Sequence, residues 1–400
     1  MKPRIIILMH YMELGGAEMS LLGLLHTLDY ERASVDLFIY AHRGELMQHI
    51  PRQVHLLPEI PAYACIETPI THALKRGQWG VAMRRLQAKN AWHKYAGQRG
   101  VPEAGKTDES IFGYLGKYLD KTLPAINPHK EYDLAISFLT PHNFALSKVK
   151  AKKRMAWIHT DYSTVCVNAD LEMPVWGGFD SIISISPHVT KAFLRTFPDL
   201  RGKIMEMENI LPAEYIRSKA AEQTCRLDHG ELTVLSIGRF CHAKNFDNVP
   251  AIARRLVDKH NIDVRWYLIG YGGDEALIRR RIAEEGMDAH ITILGKKENP
   301  YPYISQCDIY AQPSRYEGKS ITVREAQILG KPVIVSAYPT AASQVKDGID
   351  GVIAPQDNAG FADAMARMAL DRDLRSAITS NIATADYSGH SEIEKIYSLL

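Results

Sequence analysis

At 400 residues the chain is too long for one ordinary domain, and its 46% hydrophobic and 24% charged residues are typical of a folded protein, so its length predicts two domains. A formal net charge of +2 and the lack of a recognition motif exclude a typical nucleic-acid binder. The five cysteines are scattered without a CxxC pair, which argues against a disulfide framework or zinc site and favours a reducing cytosol.

Short apolar runs alternate with amphipathic stretches through the first half of the chain. Many of these runs are apolar throughout, which is typical of parallel strands buried on both faces. The opening run has no small-residue cleavage site after it, so we interpret it as a first strand and not as a signal peptide. The predicted strands are 5–9, 35–40, 134–139, 155–158 and 181–186, and helical patterns cover 19–28 and 189–197.

The first predicted helix follows a glycine-containing loop, MELGGAE at residues 12–18. Gly15 and Gly16 lie at a strand-to-helix turn, where free N–H groups can approach a phosphate or an acceptor. The loop is not GxGxxG, so a dinucleotide fingerprint is absent. A tight turn alone also explains the glycine pair.

The α/β alternation lapses between about residues 60 and 130, which predicts extra helices and a mobile surface. Residues 71–100 contain many Lys and Arg and no Asp or Glu. Trp79, Met83 and Leu86 share helical spacing within this segment. A basic amphipathic helix with aromatics is suited to lying on an anionic bilayer. The alternative is a solvated basic face above an apolar stripe that belongs to the core.

A histidine follows the fourth predicted strand, in AWIHTD at residues 156–161. His159 with Asp161 close behind it has the composition of a pair that handles a proton or orients a hydroxyl. A structural role for the histidine is the alternative.

The second half repeats the strand–helix alternation after a polar segment, residues 212–231, in which the sequence predicts no strand. We therefore expect two doubly wound α/β domains, 1–212 and 213–385, followed by an isolated helix at 391–400. Asp371-Arg372-Asp373 spells a metal-like triplet but precedes a predicted helix, and we interpret it as a cap. The predicted strands are 233–237, 264–269, 291–294, 308–312 and 332–335, and helical patterns cover 274–285 and 322–329.

A loop with two cations follows the first strand of this half, SIGRFCHAKN at residues 236–245. Gly238 permits a turn, and Arg239 and Lys244 flank the loop. Two fixed cations can neutralise a leaving diphosphate without a metal. An ordinary basic loop is the alternative.

The densest motif, SRYEGKSITVREA at residues 314–326, follows a predicted strand and enters a helix. Ligands of open α/β sheets bind at the carboxyl ends of strands, which is where Glu317 falls. Ser320 and Ile321 would lie at a helix N-terminus, where free N–H groups favour a phosphate. Glu325 follows about one turn later, where its carboxylate could accept hydrogen bonds from ribose hydroxyls. The alternative is that both glutamates are solvated surface residues.

With these residues the chain resembles family 4 of the glycosyltransferases, which has the GT-B fold of two Rossmann-like domains facing a central cleft. The resemblance covers nearly the whole chain and is densest from 232 to 353. Two glutamates separated by seven residues match Glu317 and Glu325, and the family's basic pair matches Arg239 and Lys244. The active-site histidine of the family matches His159.

The resemblance implies a role for each position. Glu317 would hold hexose hydroxyls, Glu325 the donor ribose, and the two cations the diphosphate. Residues 1–212 would bind the acceptor and 213–385 the donor, and a tail helix at 386–400 would pack back on the first domain. The other implied contact positions are Gly15, Gly16, Gly270, Leu294, Gly295, Lys296, Gly318, Lys319, Ser320 and Ile321.

The activity that the resemblance implies is retaining, metal-independent transfer of a hexose from a nucleotide diphosphate sugar, with UDP preferred over GDP. The implied acceptor is a saccharide or polyprenyl-linked saccharide of cell-surface polysaccharide synthesis, at the inner face of the cell membrane. No cofactor is expected. Lys319 and Ser320 stand where many members have apolar residues followed by Gly or Pro, so donor identity transfers less directly.

Other functions remain open on the sequence. A nucleotide-sugar-binding regulatory subunit of the same fold would bind donor without turnover. A GT-B epimerase would need only donor and water. A phosphorylase of the best-known type would need a pyridoxal phosphate lysine and a longer chain, and a glycosidase would need two carboxylates that flank one bond.

Overall fold

A computed structural model describes residues 2–100, 106–222 and 226–400. The chain divides into two compact units, one made of Met1–Ile210 with His390–Leu400 and the other of Leu211–Gly389. The sequence-based boundary at 212/213 lies two residues beyond the division at 210/211.

The first unit is built on a seven-stranded sheet of order β3-β2-β1-β5-β6-β8-β9 in which every pair is parallel. β4 and β7 pair separately. Ile5 of β1 lies in register with Val35 on one side and Leu134 on the other, so the apolar runs form the centre of the sheet. The strands are β1 Arg4–Met9, β2 Ser34–Ile39, β3 His55–Leu56, β4 Thr107–Asp108, β5 Tyr132–Ser137, β6 Ala151–Ile158, β7 Val165–Cys166, β8 Ser181–Ser184 and β9 Ile204–Glu206.

The helices of this unit include the extra helices that the sequence predicted between about residues 60 and 130, where the α/β alternation lapses. The longest, of 21 residues, runs through the acid-free segment. The helices are α1 Gly16–Thr27, α2 Pro61–Ala64, α3 Ile70–Lys75, α4 Trp79–Arg99, α5 Ser110–Leu119, α6 Asn143–Ser147, α7 Ala169–Gly177 and α8 Pro187–Thr196.

The second unit is built on a six-stranded sheet of order β12-β11-β10-β13-β14-β15, again parallel throughout. Its strands are β10 Leu232–Ile237, β11 Val264–Ile269, β12 Ile291–Gly295, β13 Ile309–Gln312, β14 Val333–Ser336 and β15 Val352–Ala354. Its helices are α9 Ala213–Ala220, α10 Val249–His260, α11 Glu275–Glu284, α12 Tyr301–Gln306, α13 Ile321–Ile328, α14 Asn358–Leu370 and α15 Arg372–Thr384. The Asp371 side chain accepts a hydrogen bond from the Leu374 amide, which confirms the predicted cap.

The C-terminal tail belongs to the first unit from His390 onward. Its helix, α16 Ile393–Tyr397, is much shorter than the 386–400 helix that we expected. Arg32 donates to Glu394 at 2.7 Å, and the Asp29 amide donates to the Tyr397 hydroxyl at 2.6 Å. Of the helices in the described part of the chain, none combines the length and the apolar character that crossing a bilayer requires.

Each sheet reverses its direction of growth once. In the first unit the chain builds outward from β1 to β3 and then returns to place β5 on the other side of β1. In the second unit the chain builds outward from β10 to β12 and then returns to place β13 on the other side of β10. Ligands of open α/β sheets bind at such switch points, outside the carboxyl ends of the strands.

Candidate functional site

The two strongest sequence motifs lie at the switch point of the second sheet, one after β10 and the other after β13. Lys244 Nζ donates to Glu317 Oε1 at 2.6 Å, and Ser314 Oγ donates to the same oxygen at 2.7 Å. The Lys244 and Glu317 side chains are 21% and 10% exposed to solvent. The structure therefore joins two predicted site residues in an ion pair that the sequence did not predict.

The two loops are held together by side chains that sequence reasoning missed. The Arg315 guanidinium forms a bidentate pair with Asp247 at 2.9 and 2.7 Å, and its backbone amide donates to the Ala243 carbonyl. Asn245, in the left-handed region at φ 61°, donates from Nδ2 to the Pro313 carbonyl. Asparagine tolerates this conformation better than most residues. These contacts fix the position of Lys244 relative to the β13 loop.

Arg239 has a different environment from Lys244. It is exposed, and in the described part of the chain it has neither an ion-pair partner nor a hydrogen-bonded one. The neighbouring backbone is anchored, since the Phe240 amide donates to the Tyr271 carbonyl at 2.8 Å. The site thus carries one paired cation and one exposed cation.

Gly270 is required by close packing of loops. Its φ is 152°, and a Cβ there would collide with the Gly238 carbonyl oxygen. The Gly270 amide donates to the Gly295 carbonyl at 3.0 Å, which joins the ends of β11 and β12. The structure therefore brings Gly270 and Gly295 together beside the β10 loop.

The end of β12 carries the positions predicted to hold the base. Leu294 is partly buried, and Lys296 is exposed with its ammonium 5.8 Å from the Tyr271 ring centroid. Tyr271 itself is 56% exposed. Sequence reasoning missed this ring, although it sits between the glycines of the turn GYGG at 270–273.

The N-terminus of α13 differs from the prediction. The Ser320 amide, expected to bind phosphate, donates to Gln344 Oε1 at 3.1 Å, and Gln344 Nε2 donates back to the Ser320 carbonyl. Gln344 therefore accepts the hydrogen bond that we expected a phosphate to accept from this amide, and phosphate binding by Ser320 stays a prediction. Gly318, Lys319 and Ile321 are partly exposed next to it.

Glu325 lies in the interior instead of beside a crevice. It is 4% exposed, and Tyr301 donates its hydroxyl to Oε1 at 2.9 Å. Burial raises the pKa of Glu325 to about 7, although the Tyr301 hydrogen bond lowers it in part. Neither Glu325 nor Glu317 is a solvated surface residue, so that alternative is wrong.

Tyr310 links the two glutamates electrostatically. Its hydroxyl lies within hydrogen-bond distance of Gln312 Oε1 at 2.9 Å and of Thr322 Oγ1 at 2.7 Å. Burial raises the pKa of Tyr310 well above its ordinary value, and the charges of Glu325 and Glu317 raise it further. The charges of both carboxylates therefore act on one buried hydroxyl of β13.

The switch point of the first sheet carries a separate group of polar residues. Gly15 is the N-cap of α1, and a Cβ there would collide with the Glu18 carboxylate. Burial raises the pKa of Glu18 to about 7. An internal carboxylate thus occupies the turn where we expected a phosphate or acceptor, and Gly16 is exposed beside it.

His10, at the end of β1, was not predicted. It pairs through Nδ1 with Glu67 and stacks on Tyr40, with ring centroids 4.9 Å apart. Burial alone would raise the pKa of Glu67, but the hydrogen bond and charge of His10 outweigh it and lower that pKa. The only sequence signal for His10 was its position directly after the first apolar run.

His159 follows β6 as predicted. Its ring lies 4.7 Å from Phe138 and stacks at 5.9 Å on Trp157, and its Nε2 is buried without a hydrogen-bond partner among the described residues. Burial lowers the pKa of His159 to about 3, so the ring is neutral near pH 7. Asp161 does not orient it, because Asp161 pairs with His188 at 3.1 Å and caps Ser163.

A cavity of about 20 Å³ adjoins His159 and is also lined by His142, Trp157 and Glu172. Glu172 accepts hydrogen bonds from Tyr162 at 2.9 Å and Trp176 at 3.2 Å. Burial raises the pKa of Glu172 to about 7, whereas burial lowers that of His142 to about 3. His159 is thus held in an aromatic, weakly hydrated environment that keeps it neutral.

Across the described residues, no group of three or more His, Cys, Asp or Glu side chains could hold a metal ion.

Comparison with known proteins adds a family to this geometry. Residues 219–384, less than half of the chain, match the family model described as glycosyl transferases group 1. The amylovoran biosynthesis glycosyltransferase AmsK of Erwinia amylovora is 27% identical over 150 residues, 36% of this chain and 36% of its own length.

A second relative, from Campylobacter jejuni, is 25% identical over 178 residues, 44% of this chain and 47% of its own. It is named N-acetylgalactosamine-N,N'-diacetylbacillosaminyl-diphospho-undecaprenol 4-alpha-N-acetylgalactosaminyltransferase. The chain therefore matches less than half the length of either curated relative.

Solved structures match over nearly the whole chain. The Anabaena protein HepE, in complex with UDP and glucose, superposes with a TM-score of 0.66 at 16% identity, covering 99% of this chain and 98% of its own. At this identity the likeness shows the fold alone. The chain accordingly has the GT-B fold of two Rossmann-like domains, and its residues 219–384 match the glycosyl transferases group 1 model.

Proposed function

We propose that the chain is a retaining, metal-independent glycosyltransferase of family 4. It moves a hexose from a UDP-sugar to a saccharide or lipid-linked saccharide in cell-surface polysaccharide synthesis. The observation that carries this proposal is the Lys244–Glu317 ion pair at the switch point between β10 and β13.

The ion pair supplies groups of both signs where a nucleotide sugar needs them. A diphosphate that approached the pair would form an ion pair with the ammonium of Lys244 in place of Glu317. The Glu317 carboxylate could then accept hydrogen bonds from the hydroxyls of the hexose. Exposed Arg239 supplies a second positive charge that interacts with the leaving diphosphate. Fixed cations aimed at developing charge are the usual source of electrostatic rate enhancement.

In the reaction we propose, the bond between the anomeric carbon and the β-phosphate oxygen breaks as the acceptor oxygen attacks from the same face. The acceptor proton passes to the leaving β-phosphate oxygen, so that no protein nucleophile is needed. Neutral His159 belongs to the acceptor-side half of this proposal, as a hydrogen-bonding group and not as a cation.

The choice of donor and acceptor is supported by the relatives. HepE was solved with UDP and glucose, and the name of the Campylobacter enzyme specifies a diphospho-undecaprenol acceptor. Glu325 remains the proposed ribose contact, which requires the donor to reach its carboxylate beside Tyr301.

A panel of UDP- and GDP-sugars tests the proposal. Thermal-shift titration measures binding, and release of the nucleotide diphosphate with and without acceptor measures turnover. We expect one UDP-sugar to bind and to be hydrolysed slowly without acceptor. Binding without any turnover across a panel of acceptors would contradict the proposal and favour a regulatory subunit.

A further inference from the structure

Helix α4 presents an apolar stripe to solvent. Trp79, Met83 and Leu86 are 69%, 53% and 48% exposed. Their spacing of four and three residues places them on one face of the helix. Val81 and Ala88 are buried about half a helical turn away from the stripe, against the unit, and Ala82 is buried between these two faces. The stripe therefore does not belong to the core, and that sequence alternative is wrong.

This stripe differs from the rest of the surface. The other large apolar side chains found exposed in the described residues are Tyr271, Tyr316, Ile349 and Leu370. They lie in the second unit, and no two of them share a helix. Single exposed apolar side chains are normal, whereas a contiguous group indicates an interaction surface.

Exposed lysines precede and follow the stripe along the chain. Lys75, Lys89 and Lys94 are exposed and, in the ranges that the structure describes, form no ion pair or hydrogen bond through their side chains. Two arginines of the helix are instead committed to the protein. Arg85 donates to the carbonyls of residues 65 and 68, and Arg99 pairs with Asp108. The lysines therefore leave a net positive charge around the apolar patch.

A basic groove of about 470 Å³ lies on the segment that leads into α4. It is lined by Arg43, His72, Lys75 and Arg76, and its one acidic residue is Glu59. Glu59 accepts hydrogen bonds from the His42 amide at 2.7 Å and from Arg76 at 3.4 Å. Arg43 pairs with Glu13 at 3.3 Å, so Lys75 is the one lysine or arginine of this groove without an ion-pair partner among the described residues.

We propose that α4 docks the first unit on an anionic phospholipid bilayer, with Trp79, Met83 and Leu86 inserted at the level of the headgroups. An indole at the end of an apolar stripe suits the boundary between lipid and water. Lysine stems lie along apolar surface while their ammonium groups reach lipid phosphates. Residues 71–100 contain no acidic residue, so the charge of this segment complements the anionic headgroups of such a bilayer.

Vesicle co-sedimentation of the full chain tests this surface, independently of any transferase activity. Vesicles of equal parts phosphatidylglycerol and phosphatidylcholine should bind the protein at least tenfold more tightly than phosphatidylcholine alone. Raised salt should weaken this binding, since exposed charges are screened. Equal binding to the two vesicle types, or no binding to either, would overturn the proposal.

Variants then locate the contact. The triple substitution Trp79→Ser, Met83→Ser and Leu86→Ser should weaken binding at least tenfold, and so should Lys75→Glu with Lys89→Glu and Lys94→Glu. Leu370→Ser is the matched control, because Leu370 is 65% exposed on the other unit, and it should bind as the parent does. Unchanged binding by the stripe variant would overturn the proposal. The proposal would also be overturned if the parent were a dimer that does not bind vesicles and the stripe variant were a monomer.

A spectroscopic measurement guards against misfolded variants. Brominated lipids should quench a component of the tryptophan fluorescence of the parent, and that component should be lost in Trp79→Phe while binding is retained. Quenching of the same size in Trp79→Phe would show that another tryptophan meets the lipid and would overturn the assignment to the stripe of Trp79, Met83 and Leu86.

Discussion

Lys244 and Glu317 are separated by 73 residues in sequence and by 2.6 Å in space. The sequence predicted both as site residues, because each follows a buried strand in a loop with a glycine. Their pairing could not be predicted, since it depends on β10 and β13 being neighbours across the reversal of the sheet. The hydrogen bond between the Ser320 amide and Gln344 could not be predicted for a similar reason, because the two residues lie 24 positions apart in sequence.

Glu325 makes the stability of the second unit depend on pH. Its folded pKa of about 7 lies above the ordinary value of 4.5, so the folded chain binds more protons between these values. The charged form above pH 7 is therefore a cost, which Glu325→Gln removes. We expect this variant to be more stable than the parent by roughly 1–3 kcal/mol at pH 8 and nearly unchanged at pH 5.

Denaturant unfolding at the two pH values measures this difference. Glu298→Gln, at an exposed position, is the control and should change stability little at either pH. A loss of stability in Glu325→Gln at pH 8 would mean that the buried carboxylate is stabilised by its surroundings instead of strained by them.

His159 has the opposite linkage. Its folded pKa of about 3 lies below the ordinary 6.5, so between these values only the unfolded chain takes up the proton, and stability falls as the pH falls. His159→Asn should reduce the slope of unfolding free energy against pH by up to ~1.4 kcal/mol per pH unit between pH 6 and 4, by an order-of-magnitude linkage estimate. Urea midpoints measure the slope, with exposed His129→Asn as control. An unaltered slope would contradict the buried, neutral state.

At the scale of elements, the central strands and the edge strand β12 were predictable, whereas the edge strands β3, β9 and β15 were not. β1 and β10 are buried along nearly their whole length, so their residues form apolar runs that the sequence displays. β3 and β9 are short and partly exposed, and they lack such a run. Helix α4 was predicted from its spacing, but its exposed stripe depends on which face meets the protein.

The turn after β11 is where backbone geometry matters most for the candidate site. Gly270→Ala would place a Cβ against the Gly238 carbonyl, which supports the loop that carries Arg239. We expect a loss of about 1–3 kcal/mol in stability, together with weaker nucleotide binding. Gly273→Ala is the matched control in the same turn, because a Cβ there meets nothing within 4 Å. Equal melting temperatures for the two variants would argue against the close packing of these loops.

At the scale of the whole molecule, the sequence predicted two doubly wound α/β domains, and the structure and its likeness to solved GT-B proteins confirm them. The strand–helix alternation was sufficient because parallel sheets need a crossover between successive strands. The tail was predicted as one long helix, but its α-helix spans only Ile393–Tyr397, held by the buried Ile396 and by contacts such as Arg32–Glu394.

Metal independence is a property of the whole reaction. If the cations of the second unit neutralise the leaving diphosphate by themselves, a chelator should leave turnover within about twofold of the untreated rate, on the argument that fixed side-chain charges already supply the electrostatic stabilisation. Nucleotide release measured with and without EDTA gives the answer. Complete loss of activity that added Mg²⁺ or Mn²⁺ restores would contradict this part of the proposal.

The most direct test of the central claim is the rate of UDP release, with the preferred donor and acceptor, by Lys244→Ala. Removing one group that stabilises developing charge should lower kcat by roughly 10²–10³-fold while the fold is retained, as circular dichroism would show. Lys346→Ala, at an exposed lysine of the same unit, should keep the parent rate. A parental rate of UDP release from Lys244→Ala would contradict the claim that this lysine grips the leaving diphosphate.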